Sequence, residues 1–302
     1  MTAGGLEALG RIIPWSLHPS GCPLRDALIV NVLSVLPRAR LARFMGWLTR
    51  RRLPRLLHRW LLRWFVSHYR VDMAEAEGGI DDYPSLAEFF VRDLKPGMRP
   101  LCTDADAVVS PADAQVAAFG TVERDIIPQG GTHKASIREM LGGDHPFEGG
   151  SYAVLYLSPP DYHRVHAPVA GRVSRWSYLP GQLFPVFAAC VERVDGIFAR
   201  NERLVTWLDG DLGQVAVVML GAFGVGRMSA VYTDLLTNTG GAAHDERPGD
   251  GPDLERGDEI GRFHMGSTVI LFFEPGRVRW ELELGQRPRV RARIATVLDR
   301  GA

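Results

Sequence analysis

Apolar residues recur along this chain at two periods, and the period changes once. In LPRLLHRWLLRWFVSHY the apolar positions are Leu53, Leu56, Leu57, Trp60, Leu61, Trp64 and Phe65. That is the i, i+3, i+4, i+7 spacing of one helical face. Arg52, Arg55, Arg59 and Arg63 are expected on the opposite side. ARLARFMGWLTRRR repeats the theme with Leu41, Phe44, Met45 and Leu48, and Pro37 and Pro54 mark the two starts. From about residue 107 the runs shorten to AVVSPADAQVAAFG, YAVLYLSP, GRVSRWSYLPG, RLVTWLDG, GQVAVVMLGAFGVG and STVILFFEPG. They are rich in Val and Leu and bounded by Gly, Pro or Asp, which predicts strands; without long helices between them, the sheet is antiparallel or mixed. RVRWELELG and RVRARIATVL alternate like an edge hairpin, whereas residues 237 to 259 hold one large apolar residue, Leu254, and read as a mobile acidic loop. The predicted class is α+β: N-terminal amphipathic helices over 1–75, then a mainly antiparallel or mixed β core over 76–302.

Composition adds an asymmetry. The formal net charge is zero, yet ten arginines and no acid lie between Ala27 and Val71, leaving 25 basic against 35 acidic residues elsewhere. The chain is a basic N-terminal piece fused to an acidic body. Its 33 arginines against two lysines read mainly as genome composition. At 302 residues the chain can bury a large core. Cys22, Cys102 and Cys190 show no CxxC spacing and no disulfide framework, which suits a reducing compartment. The best candidate for a membrane span, ALIVNVLSVL at 27 to 36, is too short to cross a bilayer and contains Asn31. It starts too late, and without a basic leader, for a signal peptide.

Four stretches could carry chemistry: VSPADAQV with Asp113, SPPDYHRVHAPVAG with His163 and His166, GQLFPVF followed by GIFARNERL, and HMGST before the strand VILFF. Each also has a plain structural reading. Asp113 after proline is often only a turn residue. HxxH alone fits a helix face, a strand end or half of a metal site. Gly-Ser-Thr before a strand is commonly a turn or bulge, and FARNER alone reads as a polar loop.

Taken in order, the stretches resemble the phosphatidylserine decarboxylase proenzyme family from about residue 45 to 286. YPSLAEFFVRDLKPGMRP, with Phe89, Phe90 and Arg92, is similar to that family's N-terminal signature. VSPADAQV resembles its SPADG turn, DYHRVHAP its double-histidine segment and FARNERL a further shared motif. MGST resembles the family's self-cleavage site, usually LGST.

The resemblance implies self-processing. Ser267 would attack the carbonyl of Gly266, turning the amide into an ester; elimination would cut the chain into 1–266 and 267–302 and leave a pyruvoyl group at position 267. Gly266 lacks a Cβ and permits the close approach. By the family's pattern His166 would take the Ser267 proton, with Asp113 orienting it, and His163 would serve the decarboxylation. Phosphatidylserine would then form a Schiff base with the pyruvoyl carbonyl and lose CO₂ to give phosphatidylethanolamine, with no PLP or metal required. The implied partners are an anionic phospholipid, a membrane surface and the chain's own two fragments held as a heterodimer, which could dimerise further; no nucleic acid is implied. Arg52, Arg55, Arg59, Trp60, Arg63 and Trp64 are the expected membrane contacts, placing the protein peripherally on the cytoplasmic face of the cell membrane.

Three positions depart from the family pattern. Ala114 stands where SPADG has glycine, Phe187 where many relatives carry Asn, and Ala135 where an aromatic is common. A left-handed turn at Ala114 would be strained, and the other two changes touch head-group preference. Two alternatives stay open at this point: a metal-dependent hydrolase using His163, His166 and Asp113, and a non-catalytic lipid-binding homologue.

Overall fold

The computed structural model describes residues 11–12, 38–223, 227–239, 241–264 and 267–298. A nine-stranded sheet forms the body, and its centre is Thr268–Phe273, TVILFF, with all six residues buried. The sequence lacks the polar alternation of a half-exposed strand, and the fold uses that by covering both faces. Thr268–Phe273 pairs antiparallel with Ser151–Tyr156 on one side and Gly213–Leu220 on the other. Gln115–Thr121 extends the sheet beyond Ser151–Tyr156, and Arg203–Gly210 then Gly171–Leu179 extend it beyond Gly213–Leu220. Apart from Ala107–Val109, the strands expected from the short apolar runs therefore form one antiparallel sheet over one main core.

A second sheet places Thr233–Leu236, Met228–Ala230, Glu259–Phe263 and Arg164–His166 side by side. The expected edge hairpin exists as Val278–Trp280 paired with Arg293–Val297, and Ala107–Val109 adds a third strand. The acidic stretch 237–259 is not wholly a loop. His244–Glu246 and Asp253–Leu254 both pair with Gly171–Leu179. His244 stacks on Trp176 at 4.5 Å, and Arg175 reaches Asp245 at 2.7 Å. Backbone pairing, ring stacking and an ion pair hold a segment whose composition offers almost no apolar area.

Among its described residues, the basic N-terminal piece contains two helices, Arg38–Thr49 and Arg55–Tyr69. The second starts after Pro54 and ends where Arg70 turns left-handed at φ 55°. It buries His58, Leu62 and Phe65, a stripe rotated from the expected apolar face. Phe65, assigned to the same face as Trp60, turns inward instead. There it joins a small separate core with Leu62, Val71, Tyr83, Phe89 and Phe90. Leu56, Leu57, Trp60 and Trp64 stay exposed. The apolar arc is too wide for one partner, so packing claims one edge and leaves the rest in solvent.

Candidate functional site

Backbone bonds bring two of the four stretches together. His166 N donates to the Pro111 carbonyl at 2.8 Å, and Val109 N to Pro168 at 3.0 Å. The Asp113 turn thus runs beside the double-histidine segment. Asp113 is held by Arg99, whose Nε and Nη2 lie 3.0 and 2.6 Å from its two oxygens, and by Val290 N at 2.8 Å. Arg99 also donates to Glu75 at 2.7 Å.

The segment HRVH is extended, and Arg164–His166 is a fully buried strand. In an extended run, side chains three apart leave on opposite faces, so the two histidines meet different surroundings. His166 Nδ1–H donates to the Gly257 carbonyl at 2.8 Å, which leaves Nε2 as the lone-pair nitrogen, 3.3 Å from the Tyr162 hydroxyl. His163 Nδ1–H donates to the Asp161 carbonyl at 2.7 Å, and its Nε2 is buried without a hydrogen-bond partner among the described residues. The Phe90 ring meets His163 edge-on at 5.2 Å. Burial depresses both histidines; for His163 it does so down to about 3, with the Arg92 charge pushing the same way. Both rings are therefore neutral and can accept a proton.

Ser267 lies at the tip of the central strand and is completely buried. Its hydroxyl donates to the Leu220 carbonyl, and its own carbonyl accepts from Leu157 N at 2.7 Å. Gly266 lies outside the described residues. The chain passes from the second sheet to the first between Phe263 and Ser267. Phe263 N bonds the His163 carbonyl at 2.9 Å, whereas His166 stands opposite Glu259. Along that strand His163 is thus nearer the junction, by roughly 10 Å at about 3.3 Å per residue. The hydrogen bonds do not link Ser267, His166 and Asp113 into a relay: each has the other partners just named. His264 bonds Ser229 at 3.3 Å and is depressed to about 4, by burial first and then by Arg227, Arg262 and Arg50.

FARNERL braces this junction. Asn201 is fully buried and ties Phe184 N, Phe184 O and Gly221 O at 2.8 to 2.9 Å. Arg203 donates to the Met140, Glu139 and Asn201 carbonyls. It pairs in register with Leu220, the residue whose carbonyl holds Ser267. Glu202 accepts from Tyr178 and Asn238 N, each at 2.6 Å, and burial raises its carboxyl. A Cβ at Gly221 would meet the Glu202 carbonyl at 3.0 Å and Leu183 at 3.3 Å, so glycine lets this turn close against the FARNERL segment. The motif has a structural task, which its polar composition alone did not disclose. Arg99 and Tyr162 also went unassigned in the sequence; both sit inside recognised motifs, yet only the fold shows what they touch.

The departures are mild. Ala114 is not among the residues with positive φ, so its turn is unstrained. Ala135 is buried opposite Ile127, and Phe187 is 37% exposed. On the helix, Leu56, Trp60 and Trp64 line an open groove with Arg59 and Arg63, and Trp60 is 63% exposed. Arg59 is partly committed to Asp81 at 2.9 Å. Among the described residues, no helix is long and apolar enough to cross a membrane, and no cluster of three or more His, Cys, Asp or Glu side chains is arranged to hold a metal.

Antiparallel sheets closing over a buried serine, two neutral histidines and an arginine-bound aspartate define a β-rich enzyme. The chain belongs to the phosphatidylserine decarboxylase family, whose model matches residues 86–296. It is similar to the phosphatidylserine decarboxylase proenzyme of Myxococcus xanthus (strain DK1622), 41% identical over 271 residues, covering 89% of this chain and 97% of that one. The proenzyme of Anaeromyxobacter sp. (strain K) is 42% identical over 285 residues, 92% of this chain and all of that one. That of Stutzerimonas stutzeri (strain A1501) is 41% identical over 273 residues, 87% and 91% of the two chains.

Proposed function

We propose that this protein is a self-processing phosphatidylserine decarboxylase that converts phosphatidylserine to phosphatidylethanolamine and CO₂, using a pyruvoyl group made from Ser267. The observation that carries this reading is the placement of Ser267, wholly buried at the tip of the central strand in a chain that belongs to this family.

For processing, the Ser267 hydroxyl leaves the Leu220 carbonyl and attacks the carbonyl carbon of Gly266. The Gly266–Ser267 C–N bond breaks, a C–O bond forms, and the freed nitrogen takes a proton. Loss of the Ser267 Cα proton then expels the Gly266 carboxylate, and water converts the remaining enamine to a ketone with release of ammonia. His166 suits the first proton transfer, because its Nδ1–H is fixed on Gly257 and its Nε2 carries the lone pair. Asp113 and Arg99 act as a paired charge beside it rather than as a direct orienting bond.

A small neutral keto group made in place fits this dry site, because it replaces a serine side chain that is itself wholly buried. It supplies a carbonyl that attaches the substrate amine and takes up the electrons of the bond to CO₂. His163, neutral and with its proton fixed on Nδ1, offers Nε2 to the substrate's protons. The fragment 267–302 stays attached because Thr268–Phe273 is buried between two strands. Trp60 and Trp64, flanked by Arg52, Arg55 and Arg63, lay the helix on an anionic membrane surface, peripherally on the cytoplasmic face.

Intact mass and denaturing gels of the purified protein test this. Two fragments should appear, 1–266 and 267–302, the shorter with a blocked N-terminus. Ser267→Ala should remain one inactive chain. Active wild-type protein that is a single polypeptide with an ordinary serine at 267 would refute the reading.

A further inference from the structure

Four arginines are buried in the described body: Arg92, Arg99, Arg164 and Arg203. Three of them use every arm. Arg99 binds Asp113, Glu75 and the Met98 carbonyl. Arg164 binds the Val91 carbonyl and Glu259. Arg203 binds three carbonyls. Arg92 is only 5% exposed, yet it uses one nitrogen, Nη2, which donates to the Pro160 carbonyl at 2.8 Å and the Asp161 carbonyl at 3.3 Å. Its Nε and Nη1 meet no acceptor among the described residues.

A buried guanidinium with idle donors is rare enough to require a reason. The nearby acids do not supply one. Asp113 is taken by Arg99 and Val290 N. The Asp161 carboxylate is taken by Arg287 at 2.8 and 3.0 Å and by Ser158 N at 2.6 Å. Arg92 lies close enough to His163 to act on its charge, and the Nε2 of His163 is the other unpartnered nitrogen there. The two are complementary, one offering N–H donors and the other a lone pair.

We infer that Arg92 is the receptor for the phosphodiester of the lipid head group, with His163 facing the amine; the inference rests on the decarboxylase reading above. Phosphatidylserine brings two anions, a phosphate and a carboxylate, and two arguments choose between them. The carboxylate is the group that departs, so a cation fixed on it would stabilise the bound substrate more than the transition state. The phosphate persists from substrate to product, and binding it anchors both alike. Position agrees. Arg92 lies 5.2 Å from the Phe89 ring, and Phe89 and Phe90 pack against Phe65 of the Arg55–Tyr69 helix at 5.9 and 5.1 Å. The idle donors therefore lie one aromatic layer beneath the helix whose Trp60 and Trp64 face outward, a depth suited to a phosphate whose acyl chains remain in a membrane.

The test uses the processed full-length enzyme with Arg92→Gln and Arg92→Lys. Calorimetric titration with dihexanoylphosphatidylglycerol, which has a phosphodiester but neither amine nor carboxylate, reads the phosphate alone. Turnover of dihexanoylphosphatidylserine reads the whole head group. Arg92→Gln should weaken phosphatidylglycerol binding about 10- to 100-fold and raise KM for phosphatidylserine by a similar factor, with less change in kcat. Arg92→Lys should restore part of both. Unchanged phosphatidylglycerol binding with a raised KM assigns Arg92 to the carboxylate and overturns the inference. No change in either, or no binding of phosphatidylglycerol by wild type, also overturns it. If Arg92→Gln does not fold, Arg92→Lys is read alone at matched melting temperature, with the same two outcomes. Should the wild type release no CO₂ from phosphatidylserine while the phosphatidylglycerol result holds, the decarboxylase reading falls and the anion site stands.

Discussion

The strand Thr268–Phe273 and the helix Arg55–Tyr69 are both strongly apolar, and the fold treats them in opposite ways. The strand is buried on both faces at the centre of the main sheet, so every apolar side chain contributes to stability. The helix spends one narrow stripe, Leu62 and Phe65, on a small core and leaves Leu56 83% exposed. Apolar content alone therefore does not measure what a segment does for folding. A face with no partner inside the molecule is available to something outside it.

The contrast can be broken most sharply in the strand. Ile270→Ala should cost about 3–4 kcal/mol, because a six-residue buried strand cannot collapse around the gap. A loss under ~1 kcal/mol in denaturant titration would show that the sheet centre is loosely packed. Acid should act next. His163 and His166 have folded pKa values below their unfolded value, so the stability they contribute is present above about pH 6.5 and is lost as pH falls, for His163 towards about 3. Asp161 and Glu202, raised by burial, oppose this in part. The net effect should be on the order of a few kcal/mol between pH 7 and 4, read as a falling melting temperature. For the same reason self-processing should keep its rate below pH 6.5; an acid limb at or above that value would remove His166 as the base.

On the helix the expected effects on stability are small and those on binding are not. Trp60→Ser with Trp64→Ser should change folding by less than ~0.5 kcal/mol while lowering affinity for anionic vesicles at least about tenfold. A large stability loss with unchanged vesicle binding would make this face an internal or subunit contact. Arg63→Gln should give the smallest change, about fivefold in vesicle affinity at low salt and less at high salt. Arg59→Gln mixes that effect with loss of the Asp81 pair and reads less cleanly.

Much of the fold was legible because strand runs such as GQVAVVML and TVILFF are long, apolar and bounded by turn residues. The chemistry-bearing stretches were legible as residue types at fixed spacing: Asp113, His163, His166 and the Ser267 junction. What failed to show was partnership. Nothing local tells Asp113 that its partner is Arg99, or Glu202 that Tyr178 will cap it. The pairing of His244–Glu246 with Gly171–Leu179 was equally hidden, since HDE carries no strand pattern and borrows its order from its neighbour. Phe65 changed faces because helical periodicity fixes angular positions but not which arc finds a packing partner.

By itself, then, the sequence determined the strand and helix periods, the order of the motifs, the small residues at the Ser267 junction and the basic charge at one end. These are properties of residues next to one another, where spacing and sterics suffice. Tertiary structure decided that His163, rather than His166, stands nearer that junction, that Asp113 answers to Arg99, and that Arg92 keeps two donors idle beside a neutral histidine. Those outcomes depend on which distant backbones share a sheet and which charges are drawn out of water together, and both are settled only when the chain closes on itself.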